Sequence, residues 1–251
     1  MLDRKEIEKY GPPGFHLSQK EKDYAQHWIL SFLSRAGFGG VFKGGTCLQK
    51  AFGLPRYSED LDFTLNDAEE PDLEAISAYL SSAGFSGLVW KKQSISVSIS
   101  LKLRYRGPLY AGSSISEGTV LLEFSKREKT MQKAVPTLIT PPYIDLLPYS
   151  ILTMGLEEIA AEKIRAMMIR TSARDLFDLY FLLRKGTKLK NELIGAKLKY
   201  YELAFEFKAF EKSMAKLHAI WKNEIKALSP NYLEYEIAAE FVLNEAKKQL
   251  V

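Results

Sequence analysis

Gly44-Gly45-Thr46-Cys47-Leu48-Gln49-Lys50-Ala51-Phe52-Gly53-Leu54-Pro55-Arg56-Tyr57-Ser58-Glu59-Asp60-Leu61-Asp62-Phe63 is the stretch on which the reading of the whole chain turns. Its first three residues lie between Val41-Phe42, which read as a short buried strand, and Cys47 to Phe52, which read as a short helix closed by Gly53 and Pro55. Glycines at a strand-to-helix junction let a phosphate approach backbone N–H groups, and the helix N-terminus adds a favourable dipole. An ordinary Gly-Gly turn has the same composition. The end of the stretch opens a strand running from Leu61 to Leu65. Residues two apart on a strand point the same way, so Asp60 and Asp62 project together while Leu61 and Phe63 pack inward. Two carboxylates held that close repel each other unless a cation stands between them. Mg²⁺ suits the position, because it is hard, takes oxygen ligands and commonly uses one or two carboxylates plus substrate phosphates. Acids simply facing water at a strand end are the plainer alternative.

Upstream, Leu17 to Arg35 reads as an amphipathic helix, with Tyr24, Trp28, Ile29 and Phe32 at helical spacing. Downstream, Asp72 to Ser82 reads as a second clear helix. Ser94 to Arg106 reads as one strand, its alternating Ile95, Val97, Ile99, Leu101 and Leu103 predicting one face on a core and one face wet. Thr119 to Phe124 is a more apolar strand that carries Glu123. An acid among such neighbours must be paired, hydrogen-bonded or metal-bound. If this strand neighbours that of Asp60 and Asp62, Glu123 completes a three-carboxylate metal site; an outward-facing or salt-bridged glutamate is the alternative.

Between Ala134 and Ser150, Pro136, Pro141, Pro142 and Pro148 argue against long regular structure. Beyond them the chain reads as nearly all helix: Leu156 to Ile169, Arg174 to Arg184, Asn191 to Lys222 with breaks, and Tyr232 to Gln249. The expected organisation is α+β: a mixed front domain over residues 1–150 and a helical domain over residues 151–251 that completes a shared cleft. On the first of these helices Lys163 shares a stripe with Leu156, Ile159, Ala160 and Met167, from which it can reach inward to phosphate or snorkel to water. On the second, Asp175 and Asp178 share a side with Leu179 and Leu182. Arg174 and Asp178 are also spaced for a plain helical ion pair.

The bulk composition narrows the classes without choosing among them. The 251 residues are 46% hydrophobic and 26% charged, with a formal charge of +4, an ordinary globular balance compatible with nucleotides or nucleic acid. Cys47 is the one cysteine, so no internal disulfide forms, and a reducing cytoplasm is expected. With three histidines, soft ligands are too few for a zinc site, which leaves carboxylates to hold any catalytic metal. No apolar run approaches the ~20 residues of a membrane span, and the polar start Met1-Leu2-Asp3-Arg4-Lys5-Glu6 does not resemble a signal peptide.

Taken together, Gly44-Gly45-Thr46, the short helix and Arg56-Tyr57-Ser58-Glu59-Asp60-Leu61-Asp62 resemble the signature of the polymerase-β-like nucleotidyltransferase superfamily. The closer similarity is to the AbiEii/AbiGii type, the toxin half of certain toxin–antitoxin pairs. Glu162-Lys163 and Arg174-Asp175-Leu176-Phe177-Asp178 resemble that family's helical motifs, in the expected order, and the similarity runs from about Phe42 to Leu183. The resemblance implies a nucleotidyltransferase fold with a mixed sheet, flanking helices and a helical C-terminal domain. It implies transfer of NMP from an NTP to an acceptor hydroxyl with release of pyrophosphate, on Mg²⁺ or Mn²⁺. Gly44, Gly45 and Thr46 would line the triphosphate and Ser58 would donate a hydrogen bond to it. Asp60 and Asp62 would hold the metal. Glu123 would be the third acid, where aspartate is the more usual residue. Lys163 would neutralise phosphate charge, and Asp178, with Asp175 as the alternative, would position nucleotide or acceptor. A tRNA 3′ end is the acceptor the family suggests, and a cognate antitoxin the expected partner. Lys102, Arg104 and Arg106 on the wet strand, and Lys126, Arg127 and Lys129, would suit a phosphate backbone; ordinary solvated charge accounts for both groups equally well. Transfer to a small molecule or a protein side chain is the competing chemistry. A nucleotide- or RNA-binding protein that kept the fold and lost the reaction is the competing class.

Overall fold

The computed structural model describes residues 1–251, which divide into two compact units. The first comprises Met1–Gly53, Tyr57–Thr130 and Ala134–Thr153; the second comprises Leu54–Arg56, Met131–Lys133 and Met154–Val251.

The first unit is built on a seven-stranded sheet. Its strands are β1 (Val41–Lys43), β2 (Asp60–Thr64), β3 (Ser86–Ile95), β4 (Ser98–Arg106), β5 (Gly118–Ser125), β6 (Val135–Ile139) and β7 (Tyr149–Thr153), in the order β3-β4-β5-β2-β1-β7-β6. The sheet is mixed: β2 runs parallel to β5 and β1 parallel to β7, and the other pairs are antiparallel. Helices α1 (Arg4–Tyr10), α2 (Leu17–Arg35), α3 (Gly44–Phe52) and α4 (Leu73–Ser82) belong to the same unit. Asp3 and Glu6 form a capping box on α1, and Asp72 caps α4 by accepting from the Glu74 and Ala75 amides, which satisfies donors that a helix start leaves open.

Register explains why one sheet face is a core. Leu61 stands beside Leu122, which faces Leu101, and Phe63 stands beside Phe124, which faces Ile99; all six are buried. The rings of Phe63 and Phe124 stack with centroids 5.3 Å apart. Burying side chains of this size stabilises the sheet by roughly 1.5–3 kcal/mol each. The period of two then forces the intervening residues onto the opposite face.

One strand expectation is corrected, and a passage expected to lack long regular structure proves to hold short strands. The stretch Ser94 to Arg106 is not one strand but a hairpin, since β3 ends at Ile95 and β4 begins at Ser98, with Ile95 paired to Ser98. A two-residue turn reverses which parity faces the core: Ile95 is 63% exposed whereas Ile99 is fully buried. The apolar alternation therefore continues through Val97 by coincidence, and no Gly, Asn or Pro marks the turn. The proline-rich passage also contains regular structure, β6 and the start of β7. Pro136 is accommodated because β6 is the last strand in the order, where a missing ladder donor is tolerated.

The second unit consists of α5 (Leu156–Ile169), α6 (Ala173–Arg184), α7 (Asn191–Lys199), α8 (Phe207–Ala215), α9 (His218–Leu228) and α10 (Tyr235–Leu250), with two short pieces from earlier in the chain. The stretch expected as one broken helix from Asn191 to Lys222 is three separate helices. Their core includes Ile164, Leu179, Ile194, Phe210, Met214, Trp221 and Val242. Buried among them, Lys197 meets Glu158 at 2.7 Å and Glu162 at 3.4 Å. Glu158 also accepts the Met131 and Gln132 amides, which fastens that short piece to α5. Ser229 Oγ donates to the Pro55 carbonyl and fastens the other. No helix of the structure is long and apolar enough to cross a membrane.

Candidate active site

The acids of the first unit stand on the wet face of the sheet. Asp60 and Asp62 alternate along β2 with buried Leu61 and Phe63, as the spacing predicts. The parallel pairing of β2 with β5 places Glu123 directly beside Asp62, and the antiparallel pairing with β1 places Lys43 on its other side. One row thus runs Lys43, Asp62, Glu123, Ser100, Gln93 across five strands. Ser100 Oγ donates to Glu123 Oε1 at 2.7 Å, so the Glu123 carboxylate is hydrogen-bonded along this row. No group of three or more His, Cys, Asp and Glu side chains is arranged to hold a metal ion.

Helix α3 begins at Gly44 rather than at Cys47, so the glycines form its first turn instead of a preceding loop. Gly44 has φ +74°, and a Cβ there would stand 2.5 Å from Asp62 Oδ2. Glycine is required twice over: the backbone lies where side chains are disfavoured, and the Asp62 carboxylate fills the space a side chain would take. Thr46 is fully buried and donates to the Asp60 carbonyl at 2.5 Å. Its hydroxyl proton therefore positions β2 from beneath.

The Ser58–Asp60 backbone is held at further points that the sequence did not reveal. The Ser58 amide donates to Gln49 Oε1 at 3.1 Å, and Gln26 Nε2 donates to the Glu59 carbonyl at 2.7 Å. Gln49 Nε2 in turn donates to Asp23 Oδ1, which also accepts from Lys50 Nζ at 2.7 Å. Tyr143 donates to Asp23 Oδ2. Burial would raise the Asp23 pKa, but Lys50 and the Tyr143 hydroxyl hold it below the usual carboxylate value. The neighbouring His27 is pushed down to about 3, by burial first and then by Lys50, against the pull of Asp23. A glutamine bonded to a buried acid has no one-dimensional signature, and nothing in the spacing singles out Gln26 or Gln49.

In the second unit, Lys163, Asp175 and Asp178 come together as α5 packs on α6. Lys163 Nζ lies 2.7 Å from Asp178 Oδ2 and 3.0 Å from Asp175 Oδ1. Arg56 grips Asp178 with two parallel bonds of 2.6 and 2.7 Å, and Arg170 grips Asp175 with bonds of 2.9 and 3.1 Å. The helical ion pair open to Arg174 and Asp178 does not form, because Arg56 and Lys163 take the carboxylate. Although burial opposes ionisation of all three, the mutual charges win. Asp175 is lowered to about 2, Asp178 is lowered, and Lys163 is raised. Each acid has its own arginine, so neither Asp175 nor Asp178 stands apart as the functional one. Arg56 is the residue that sequence reasoning passed over; its place just ahead of Ser58 in the signature was the available signal.

The cations expected to meet a phosphate backbone divide into two kinds. Lys126 pairs with Glu70 and Lys129 with Asp67, while Arg104 and Arg106 share Glu117. Lys102 is exposed on the wet face and makes no ion pair.

The residues present suit a hard divalent cation. Asp60 and Asp62 offer carboxylate oxygens on one face of one strand, about 6.6 Å apart along it. The missing Cβ at Gly44 leaves room for the Asp62 carboxylate against the start of α3.

Comparison with known proteins gives a consistent result. The model of a family described as nucleotidyl transferase AbiEii toxin, of type IV toxin–antitoxin systems, matches residues 33–245. MenT4, a nucleotidyltransferase toxin of Mycobacterium tuberculosis, is 19% identical with a TM-score of 0.64, over 98% of this chain and 90% of that one. JHP933 from Helicobacter pylori is 23% identical with a TM-score of 0.60, over 92% of this chain and 94% of its own. A further Helicobacter pylori structure, described as a candidate nucleotidyltransferase, is 24% identical with a TM-score of 0.61, over 90% and 92%. At these identities the likeness to solved structures establishes a shared fold. No curated protein matches.

Proposed function

Because this chain belongs to the AbiEii family of nucleotidyltransferase toxins of type IV toxin–antitoxin systems, we propose that it transfers NMP from an NTP to a hydroxyl at the 3′ end of an RNA, a tRNA being the first candidate, with release of pyrophosphate. The observation that carries the reading is the row on the wet sheet face. There Asp60 and Asp62 share β2, Glu123 stands beside Asp62, and Gly44 leaves the Asp62 carboxylate its space.

Asp60 and Asp62 would hold Mg²⁺ or Mn²⁺, with Glu123 as third acid once its bond to Ser100 is exchanged for the ion. A bound ion supplies Lewis acidity to the triphosphate and lowers the pKa of the acceptor hydroxyl. The protein's part is placement. Gly44 and Gly45 offer backbone N–H groups to phosphate at the start of α3, where the helix dipole favours an anion. Ser58, its backbone fixed by Gln49, donates its hydroxyl to the triphosphate. Thr46 and Gln26 keep the peptides around Asp60 from shifting when charge accumulates nearby. In the helical unit, the raised pKa of Lys163 keeps it cationic, the state required of a group that balances phosphate charge. Asp175 and Asp178 hold it in place. The lone buried thiol Cys47 suits a reducing cytoplasm, and the family implies a cognate antitoxin.

The test is incubation with each α-labelled NTP, Mg²⁺ and total cellular RNA, beside the Asp60→Ala/Asp62→Ala variant. Label entering RNA with the native protein alone supports the reading and names the nucleotide. Equal labelling by the variant removes Asp60 and Asp62 from the chemistry. Label entering protein or small molecules instead of RNA overturns the acceptor.

A further inference from the structure

A second row crosses the wet face of the sheet at the level of Asp60. It runs Asp60, Leu121, Lys102, Lys91 over β2, β5, β4 and β3. Paired residues point to the same side of a sheet, so both lysines share a face with the acids. Strands stand about 4.8 Å apart, which puts Lys102 at ~10 Å and Lys91 at ~14 Å from Asp60 along the backbone grid. Both lysines are exposed.

Their lack of partners distinguishes them from neighbouring cations. Lys92 and Lys126 pair with Glu70, Lys129 with Asp67, and Arg104 and Arg106 with Glu117. Lys91 and Lys102 have no carboxylate and face each other directly across an antiparallel pair. Like charges in that position are destabilising. A polyanion laid over both would turn the repulsion into attraction and release counterions.

We infer that Lys102 and Lys91 form a phosphate track leading to Asp60, and that its occupant is the single-stranded end of a nucleic-acid acceptor. The terminal hydroxyl would lie at Asp60 and Asp62, the terminal base against Leu121, and the preceding phosphates over Lys102 and then Lys91. This rests on the nucleotidyl-transfer reading and adds the path by which the acceptor enters. A small-molecule acceptor has no use for a cation ~14 Å from the acids, whereas a strand of several nucleotides does. Arg104, next along the same face of β4 and half-neutralised by Glu117, extends the positive field beyond the track.

The test is direct binding, which does not require turnover. Fluorescence anisotropy with a labelled single-stranded RNA of mixed sequence and free 3′ hydroxyl compares the native protein, Lys91→Gln/Lys102→Gln, and Lys92→Gln, a control that removes one lysine charge from the same strand. The double variant is expected to weaken Kd about tenfold and to reduce the salt slope by about 1.4, two phosphates at roughly 0.7 each. Its thermal melt should be no lower than that of the native protein, since the removed lysines repel each other, and Lys92→Gln should bind like the native protein. Native-like Kd and slope in the double variant, or equal weakening by Lys92→Gln, overturns the track. If the lysines govern RNA binding but no NTP labels RNA, the track stands and the reaction assigned to the site fails instead.

Discussion

Replacing Arg56 with methionine keeps most of the stem volume and removes the guanidinium that holds Asp178. In the structure Asp178 is fully buried and bonded by Arg56 at 2.6 and 2.7 Å. Breaking a buried pair by deleting one partner costs about 3–5 kcal/mol, because the remaining charge is left without compensation. Here Lys163 still stands 2.7 Å from Asp178 Oδ2, so part of the compensation survives. That places the expected loss at the low end, about 3 kcal/mol. For a chain of this size each kcal/mol moves Tm by about 2–4 °C, so the melt should fall by roughly 6–12 °C. Urea titration followed by circular dichroism gives the free energy. A double-mutant cycle with Asp178→Asn isolates the pair, whose coupling should be about 2 kcal/mol or more. A loss below about 1 kcal/mol in Arg56→Met, on the scale of a surface ion pair, would refute the reasoning. So would an equal loss when Asp178 is already asparagine.

Two further outcomes follow from other parts of the structure. Gly44→Ala and Gly37→Ala both place a side chain at positive φ, but only at position 44 would the Cβ meet another atom within 4 Å, Asp62 Oδ2. Gly37→Ala should lose about 1–2 kcal/mol in a urea melt and Gly44→Ala at least as much, while nucleotide transfer collapses in Gly44→Ala alone; equal activity in the two would detach Asp62 from catalysis. His27 is lowered to about 3 in the fold, so the unfolded chain binds the extra proton between there and about 6.5. The stability it contributes is complete above that upper value and declines as pH falls, by up to about 1.4 kcal/mol per pH unit. Between pH 6.5 and 4.5, His27→Gln should therefore show a flatter stability profile than the native protein, and parallel profiles would contradict the assignment.

The parts of this protein that were legible in the sequence are those whose cause is local. Helix α2 begins at Leu17 and α5 at Leu156 because apolar positions recur at the helical period from those residues onward, and both end where the pattern does. Asp60 and Asp62 share a face because a strand admits no other arrangement. The β3–β4 turn was invisible, since a tight reversal that shifts parity by one can leave an alternating string unbroken. Strand β6 was hidden because proline is excluded from interior strands and tolerated at an edge, and edge position belongs to the assembled sheet. Sequence order could suggest that Glu123 lies near the acids, but only the parallel pairing of β2 with β5 sets it beside Asp62. Arg56 and Asp178 lie 122 positions apart, so their contact has no periodic trace. The same holds for Lys197, whose burial would be read from composition as an error until Glu158 and Glu162 are found beside it.

The two short pieces Leu54–Arg56 and Met131–Lys133 give the chain an unusual timetable. Both leave the ribosome well before the helices that receive them, since Arg56 waits for Asp178 and the Met131 amide for Glu158. The helical unit is consequently not a module that begins at Met154, and no single cut in the chain separates it from the sheet unit. A nascent chain halted at Thr153 would have translated the acids of β2 and β5 while Arg56, just upstream of Ser58, still lacked its counter-charge. Completion of the helical unit thereby supplies the last partners of Arg56 and of the Met131 amide.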